Sequence, residues 1–345
     1  MKRNRLWQIL CKLAVLTAVP LLGACEHKEF CYQHPHIKTI RVEFDWQDAP
    51  DADPKGMCVF FYPTDGGSPQ RVDFTGMTGG EVQLRTGSYR VMCYNNDTES
   101  VLFADTHNFD THTGYTREGN VLEPIYGNAA NYAPRAAGSE EERVVITPDM
   151  MWGCVASDVE VFDTGISYEC RPLEMSDRAD GTPTVDEQVI TLYPHELVCT
   201  YTYEVHNVKN LKHAVQMCGT LSGMAPSLLF GDESLDKECV TLPFAAVSDG
   251  VSTITGKFYT FGHNEENVEP HRMIFYIVMD DGQKYAYGTD GSSRFNVTSQ
   301  VHDAPDRRHV HIVINGLDLP TPIENGNGFN VGADDWVLVE QDIRI

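Results

Sequence analysis

Residues Thr39–Trp46 read TIRVEFDW, with Ile40, Val42, Phe44 and Trp46 on one side and Thr39, Arg41, Glu43 and Asp45 on the other. A period of two marks a strand with one face in a core and one in water. The alternation returns at Glu196–His206, where Leu197, Cys199, Tyr201, Tyr203 and Val205 oppose Glu196, Thr200, Thr202, Glu204 and His206. Around the first stretch lie strand-like runs at Met57–Tyr62, Arg71–Phe74, Glu81–Arg85, Tyr89–Asn95 and Val101–Ala104, separated by turn signals such as Asp65-Gly66-Gly67 and Thr86-Gly87-Ser88. Glu118–Ile125, Arg143–Ile146 and Trp152–Phe162 read as late strands of the same set. Around the second stretch lie Ala214–Leu221, Lys257–Phe261, Met273–Met279, Lys284–Tyr287, His309–Ile314 and Trp336–Ile343. Met273–Met279 is apolar on both faces and is expected at the centre of a sheet. Gly219, Gly223 and Pro226 make a long helix over Leu211–Leu229 costly. Short strands with turns between them predict an all-β chain of two tandem antiparallel β-sandwich domains. The N-terminal domain is expected over residues 37–170 and the C-terminal one over 187–345. Residues 171–186 (RPLEMSDRADGTPTVD), rich in charge, Pro and Gly, read as a linker or surface loop.

Upstream of TIRVEFDW the chain reads as an address. Lys2, Arg3, Arg5 and Lys12 make a basic leader, and Leu13–Leu22 is a ten-residue apolar run, too short to span a bilayer. It ends in Leu22-Gly23-Ala24-Cys25, which resembles the lipobox of bacterial lipoproteins. Residues 1–24 are therefore expected to be a cleaved signal peptide and Cys25 the lipidated residue, with 25–36 a polar tether. One buried chain holds only marginally, at about 0.8 kcal/mol per methylene, whereas several acyl chains give a stable anchor.

The leader carries four of the 26 Lys and Arg and none of the 50 Asp and Glu, so the chain from Cys25 has 22 basic against 50 acidic residues, net −28. Such a surface repels phosphate backbones and argues against nucleic acid as a partner. Beyond Cys25 there are eight cysteines, with no CxxC or Cys/His metal spacing. Cys58, Cys93 and Cys199 sit inside apolar runs, where a free cysteine acts as a small hydrophobe, and most are expected unpaired.

Nothing in the sequence builds a catalytic or cofactor site. Gly250–Lys257 (GVSTITGK) has one residue too many between its glycines for a phosphate loop, and Phe258 stands where Ser or Thr should hold magnesium. His34 with His36, and His309 with His311 on one strand face, lack a third metal ligand. Asp48, Asp51 and Asp53 lack the glycine and distal glutamate of a calcium loop. No GxSxG elbow or HExxH is present. Neither an enzyme, a cofactor nor a metal is expected.

The lipobox start, Gly80–Asn96 (GEVQLRTGSYRVMCYNN) and Gly219–Phe230 (GTLSGMAPSLLF) together resemble the fimbrial-anchor and fimbrillin-like lipoproteins of Bacteroides and its relatives, in a branch known as a domain of unknown function. The resemblance implies two transthyretin-like β-sandwiches and a place at the outer membrane, lipid-anchored and facing the cell surface. It also implies a role as anchor, tip or accessory subunit of a fimbrium, joined to pilin-like subunits by β-strand complementation. The arginine-marked cut that exposes the gap in stalk subunits has no obvious equivalent here, since Arg171 and Arg178 lie in a loop. That favours an anchor or terminal subunit. The alternative is a surface glycan-binding lipoprotein, for which Trp46, Trp152 and Trp336 are the candidate stacking rings. The C-terminal run Asp335–Ile345 is expected either to close the second sandwich or to be donated to a partner.

Overall fold

The computed structural model describes residues 37–127, 142–162, 188–288, 295–322 and 336–339. The first set of strands is β1 (Ile37–Phe44), β2 (Gly56–Pro63), β3 (Gln70–Thr75), β4 (Gly80–Arg85), β5 (Gly87–Asn95), β6 (Val101–Ala104), β7 (Thr113–Thr116), β8 (Arg143–Val144), β9 (Trp152–Val161), β10 (Val189–Leu192) and β11 (His195–Glu196). The second is β12 (Cys199–Lys209), β13 (Ala214–Met224), β14 (Ser227–Leu229), β15 (Val240–Ala245), β16 (Val247–Ser248), β17 (Ile254–Thr260), β18 (Met273–Met279), β19 (Lys284–Tyr287), β20 (His309–Asp318) and β21 (Val337–Val339).

These strands build two sandwiches. In the first, the sheet β10-β1-β4 packs on β11-β9-β5-β2-β3; in the second, β16-β17-β12-β20 packs on β21-β19-β18-β13-β15-β8. Stripped of short additions, the two share one strand order. The opening strand (β1 or β12) lies between an antiparallel neighbour (β4 or β17) and a parallel one (β10 or β20). The facing sheets, β9-β5-β2-β3 and β19-β18-β13-β15, are antiparallel throughout. Parallel pairing also places β8 beside β15 and β21 beside β19, so the sheets are mixed where the sequence suggested only antiparallel ones. A parallel neighbour must return from far along the chain, and no hairpin signal announces it.

The alternating stretches become amphipathic strands: β12 and β20 both bury every second residue over most of their length. By contrast β18 is buried along its whole length, because both faces are covered. Met273, Phe275, Ile277 and Met279 fill the second core, while Ile274 and Tyr276 pack under Val121, Leu122 and Trp336. β2 is likewise buried on both faces, with Met57, Val59 and Phe61 in the first core and Cys58 and Phe60 facing outward into a further layer. At the bulge in β13, Gly223 has φ +80° and a Cβ there would lie 2.8 Å from His271 Nδ1, so no other residue fits without strain.

Three expectations need correcting. Glu118–Ile125 is not a strand. After one bridge from Glu118 to Val145, the Asn120 side chain accepts from Leu122 N–H, and a helical turn with Pro124 near its start spans Glu123–Tyr126. Arg143–Val144 is a strand, yet it joins the second sandwich as β8. The proposed linker 171–186 lies outside the described residues, but β10 and β11, placed by sequence in the second domain, pair with β1 and β9 of the first. Pro243 sits inside β15, a place the handicap of a missing N–H allows because β8 pairs only with Val240 and Thr241. Among the described residues, no helix is long and apolar enough to cross a membrane.

Candidate functional site

The outward face of β2 and β5 carries Phe60, Tyr62, Met92 and Tyr94, which pack against the small sheet β14-β7-β6 and against Phe230. Tyr94 stacks on Phe103 (centroids 4.6 Å apart) and on Phe230 (4.9 Å). Gly114 allows this approach, since a Cβ there would meet Phe230 Cζ at 2.7 Å. His112, fully buried, sits among the rings. Tyr62 O–H donates to Thr106 O (3.0 Å), which can only accept. Tyr62 therefore accepts from His112 Nδ1–H (2.6 Å), and Nε2 is left to accept from Tyr94 O–H (3.0 Å). Every polar atom of the chain Tyr94–His112–Tyr62 is paired, and burial pushes His112 down to about 4, so the ring is neutral.

At the rim of this layer an ion network joins the sandwiches. His195 Nε2 bonds Glu233 Oε1 (2.7 Å), and Arg308 reaches Glu233 Oε2 (3.2 Å) while donating to Glu196 O. His309 lies between Asp306 (2.9 Å) and Glu196 (3.3 Å). Burial works against the Glu233 charge, but the bonds from His195 and Arg308 outweigh it and hold the carboxyl below its ordinary range. The Glu233 bond in turn raises His195. Glu233 has φ +56°, a left-handed conformation rare for a residue with a side chain, and it aims one carboxylate at both His195 and Arg308. The network divides two cavities. One, about 550 Å³, is lined by Leu197, Leu235, Phe261, His263 and Arg307; the other, about 420 Å³, by Asp48, Asp51, Trp152, Asp306 and His309.

Cys25, His34 and His36 lie outside the described residues. His309 and His311 do share an exposed face of β20, but His309 is held by carboxylates and His311 by the Thr202 hydroxyl (2.9 Å). Among the described residues no group of three or more His, Cys, Asp and Glu could hold a metal ion. Gly250–Lys257 forms the turn into β17, where Asp249 Oδ1 accepts from the N–H groups of Val251, Ser252 and Thr253. The protein's own carboxylate thus occupies the nest of amides that a phosphate would need. Trp46 donates its indole N–H to Met77 O and packs on Phe44, and Trp336 packs edge-on against Tyr276. Trp152 lines the smaller of the two cavities described above. Val337–Val339 lies as β21 at the sheet edge beside β19; residues 340–345 are outside the description. The Tyr62–His112–Tyr94 chain and the His195–Glu233–Arg308 network have no local signal in the sequence, since they join residues far apart along the chain.

Residues 24–245 match the family described as "Domain of unknown function (DUF5119)". A candidate fimbrium anchoring subunit of Bacteroides ovatus, Fim4B, is 22% identical over 262 residues, covering 76% of this chain and 67% of its own. Among solved structures, a candidate adhesin from Bacteroides ovatus matches 92% of this chain and 97% of its own at 17% identity, with a TM-score of 0.53. The fimbrial anchor protein Mfa2 from Porphyromonas gingivalis matches 81% of this chain and 90% of its own at 13% identity and a TM-score of 0.43. The adhesin shares the fold of this chain.

Proposed function

The chain belongs to the DUF5119 family, and from that premise we propose that it is a structural subunit of a fimbrium, an anchor, tip or accessory component, rather than an enzyme. The observation that carries this reading is the relation to the Fim4B subunit, which extends over more residues than either sandwich contains. On this reading the chain is cleaved before Cys25, acylated there, and held at the outer membrane facing the cell surface. Its partners are pilin-like subunits, joined by β-strand complementation. A partner's extended segment gains main-chain hydrogen bonds from an open lane and side-chain pockets from the exposed core. The lane we favour is that of β10, which closes the first sandwich with four register pairs only. The C-terminal segment serves its own sandwich, a role supported by β21 lying beside β19. Deleting residues 335–345 should then lower the stability of the second sandwich and leave partner binding intact once folded.

Fractionation tests the anchoring directly. Cys25→Ala is expected to move the protein from the membrane pellet to the soluble fraction and to detach pilin-like subunits from the cell. Detergent-dependent membrane association of that variant would sink the proposal. The glycan-binding reading has one observation in its favour, the indole of Trp152 beside Asp48 and Asp51 in the smaller cavity. It requires that the wild-type chain bind neutral sugars on a glycan array and that Trp152→Ala lose them; no binding by the wild type discards it.

A further inference from the structure

We propose that Cys93 and Cys154 are a cross-strand disulfide site, closed by exchange with a small disulfide oxidant. The two residues face each other directly in the antiparallel β5–β9 ladder. Their Sγ atoms are 3.4 Å apart although 61 residues separate them in the chain. Opposed residues of an antiparallel pair have Cα atoms about 4.5–5.5 Å apart, inside the span that disulfides bridge, and an S–S bond is about 2.05 Å long. Rotation of the two side chains closes the remaining gap while the strands keep their register.

No other described thiol has a sulfur neighbour of this kind. Cys58 donates to Tyr94 O from the opposite face of the sheet, Cys199 to Phe261 O, and Cys218 to Val121 O. Burial pushes Cys58 and Cys218 up to about 12 and Cys199 up to about 11, which makes them inert. Within the pair the two thiols differ. Burial pushes Cys93 up, whereas the hydrogen bond from Cys93 holds Cys154 below the ordinary thiol range against its own burial. Cys154 is also the more accessible, 9% exposed against 1%.

The chemistry follows from that difference. The Cys154 thiolate attacks one sulfur of the oxidant and releases the first thiolate. Cys93, on losing its proton, attacks Cys154 Sγ and releases the second. Two protein thiols are oxidised, one disulfide is reduced, and both protons end on the leaving thiols. The loop so closed contains β6, β7 and β8, and the last two of these pair with β14 and β15 of the second set. The cross-link therefore ties off the base of the excursion through which the first half of the chain reaches into the second. Export, part of the proposed function, would bring the pair to an oxidant, while the site itself rests on the geometry.

The test uses the full chain, reduced and unfolded in urea, then refolded with 2-hydroxyethyl disulfide so that burial is no barrier. Remaining thiols are alkylated with iodoacetamide and the non-reduced digest is read by mass spectrometry. One cross-linked peptide pair carrying Cys93 and Cys154, lighter by two hydrogens than the two thiol peptides, is expected in most molecules. The oxidised chain should melt roughly 5 °C or more above its reduced form, a gap absent from the Cys93→Ala and Cys154→Ala variants. Alkylation of both residues, a lasting mixed disulfide on Cys154, or pairing of either with Cys31, Cys170 or another cysteine would overturn the proposal. Loss of membrane anchoring on its own would leave this result untouched and would bear only on the fimbrial reading.

Discussion

The two sandwiches share a strand order and differ in how they are closed. In the second, β20 runs beside β12 over nine register pairs and sends Val310, Ile312, Ile314 and Leu317 into the core. In the first, β10 runs beside β1 over four pairs and contributes Ile190 and Leu192. Neither is complete alone. The outer face of β2 and β5 is covered by Leu228 and Phe230 from the second half, and the outer face of β18 by Val121 and Leu122 from the first. Reciprocal cover of this kind makes two topologically separate units depend on one another, and it leaves β10 as the weak lane of the stronger whole.

The sharpest attack on that comparison is at the shared layer. Phe230→Ala removes a buried ring stacked on Tyr94 and is expected to cost about 3–5 kcal/mol. In urea, followed by probes placed in each sandwich, both should shift together. A shift confined to one sandwich would show that the cover is not shared.

Acid offers the next test. His112 in the shared layer, and His263 and His271 beside the second sandwich, are each pushed by burial from 6.5 down to about 4. Protonation then favours the unfolded chain, so stability is intact above pH 6.5 and falls between pH 6.5 and 4. For the fully buried His112 and His271 a shift of that size corresponds to at most roughly 3 kcal/mol each. His195 runs the other way: Glu233 raises it, so its contribution is present below pH 6.5 and is lost as pH climbs through the raised value. His112→Gln should flatten the acid loss measured by urea unfolding at pH 7 and pH 4.5. An unchanged slope would mean that His112 does not carry its share.

Each sandwich also guards an edge with a glutamine acting as a backbone amide. Gln300 bonds both N–H and C=O of Val313 on β20, and Gln188 bonds Phe162 N–H and Glu160 O on β9. Gln300→Ala is expected to cost about 1 kcal/mol and to increase self-association at high concentration, seen by light scattering. The smallest effect belongs to the exposed Lys237–Glu266 pair, where Lys237→Ala should leave the melting temperature unchanged.

The sequence made the amphipathic strands plain, because Ile40, Val42 and Phe44, or Tyr201, Tyr203 and Val205, repeat with period two. It also marked the doubly covered run Met273–Met279. It could not show the parallel lanes: Val189–Leu192 is four residues long and pairs with a strand almost 150 residues earlier. Nor could it show which half each short strand would serve, since β8, β10 and β11 carry no local sign of their partners. The junction was hidden for the same reason. Tyr62 and His112, or His195, Glu233 and Arg308, are unremarkable until the fold brings them together. The failed phosphate loop was readable in its spacing, and the structure supplies the physical sequel in Asp249 filling its own nest of amides.

The unequal closure of two like sandwiches is tested most directly by hydrogen–deuterium exchange of the free chain, read peptide by peptide under native conditions. Amides of Val189–Leu192 should exchange well before those of His309–Asp318, with β1 losing protection on its β10 side ahead of β12. Equal protection of β10 and β20, or faster exchange in β20, would contradict the account and remove the reason for placing a partner's strand in the first sandwich.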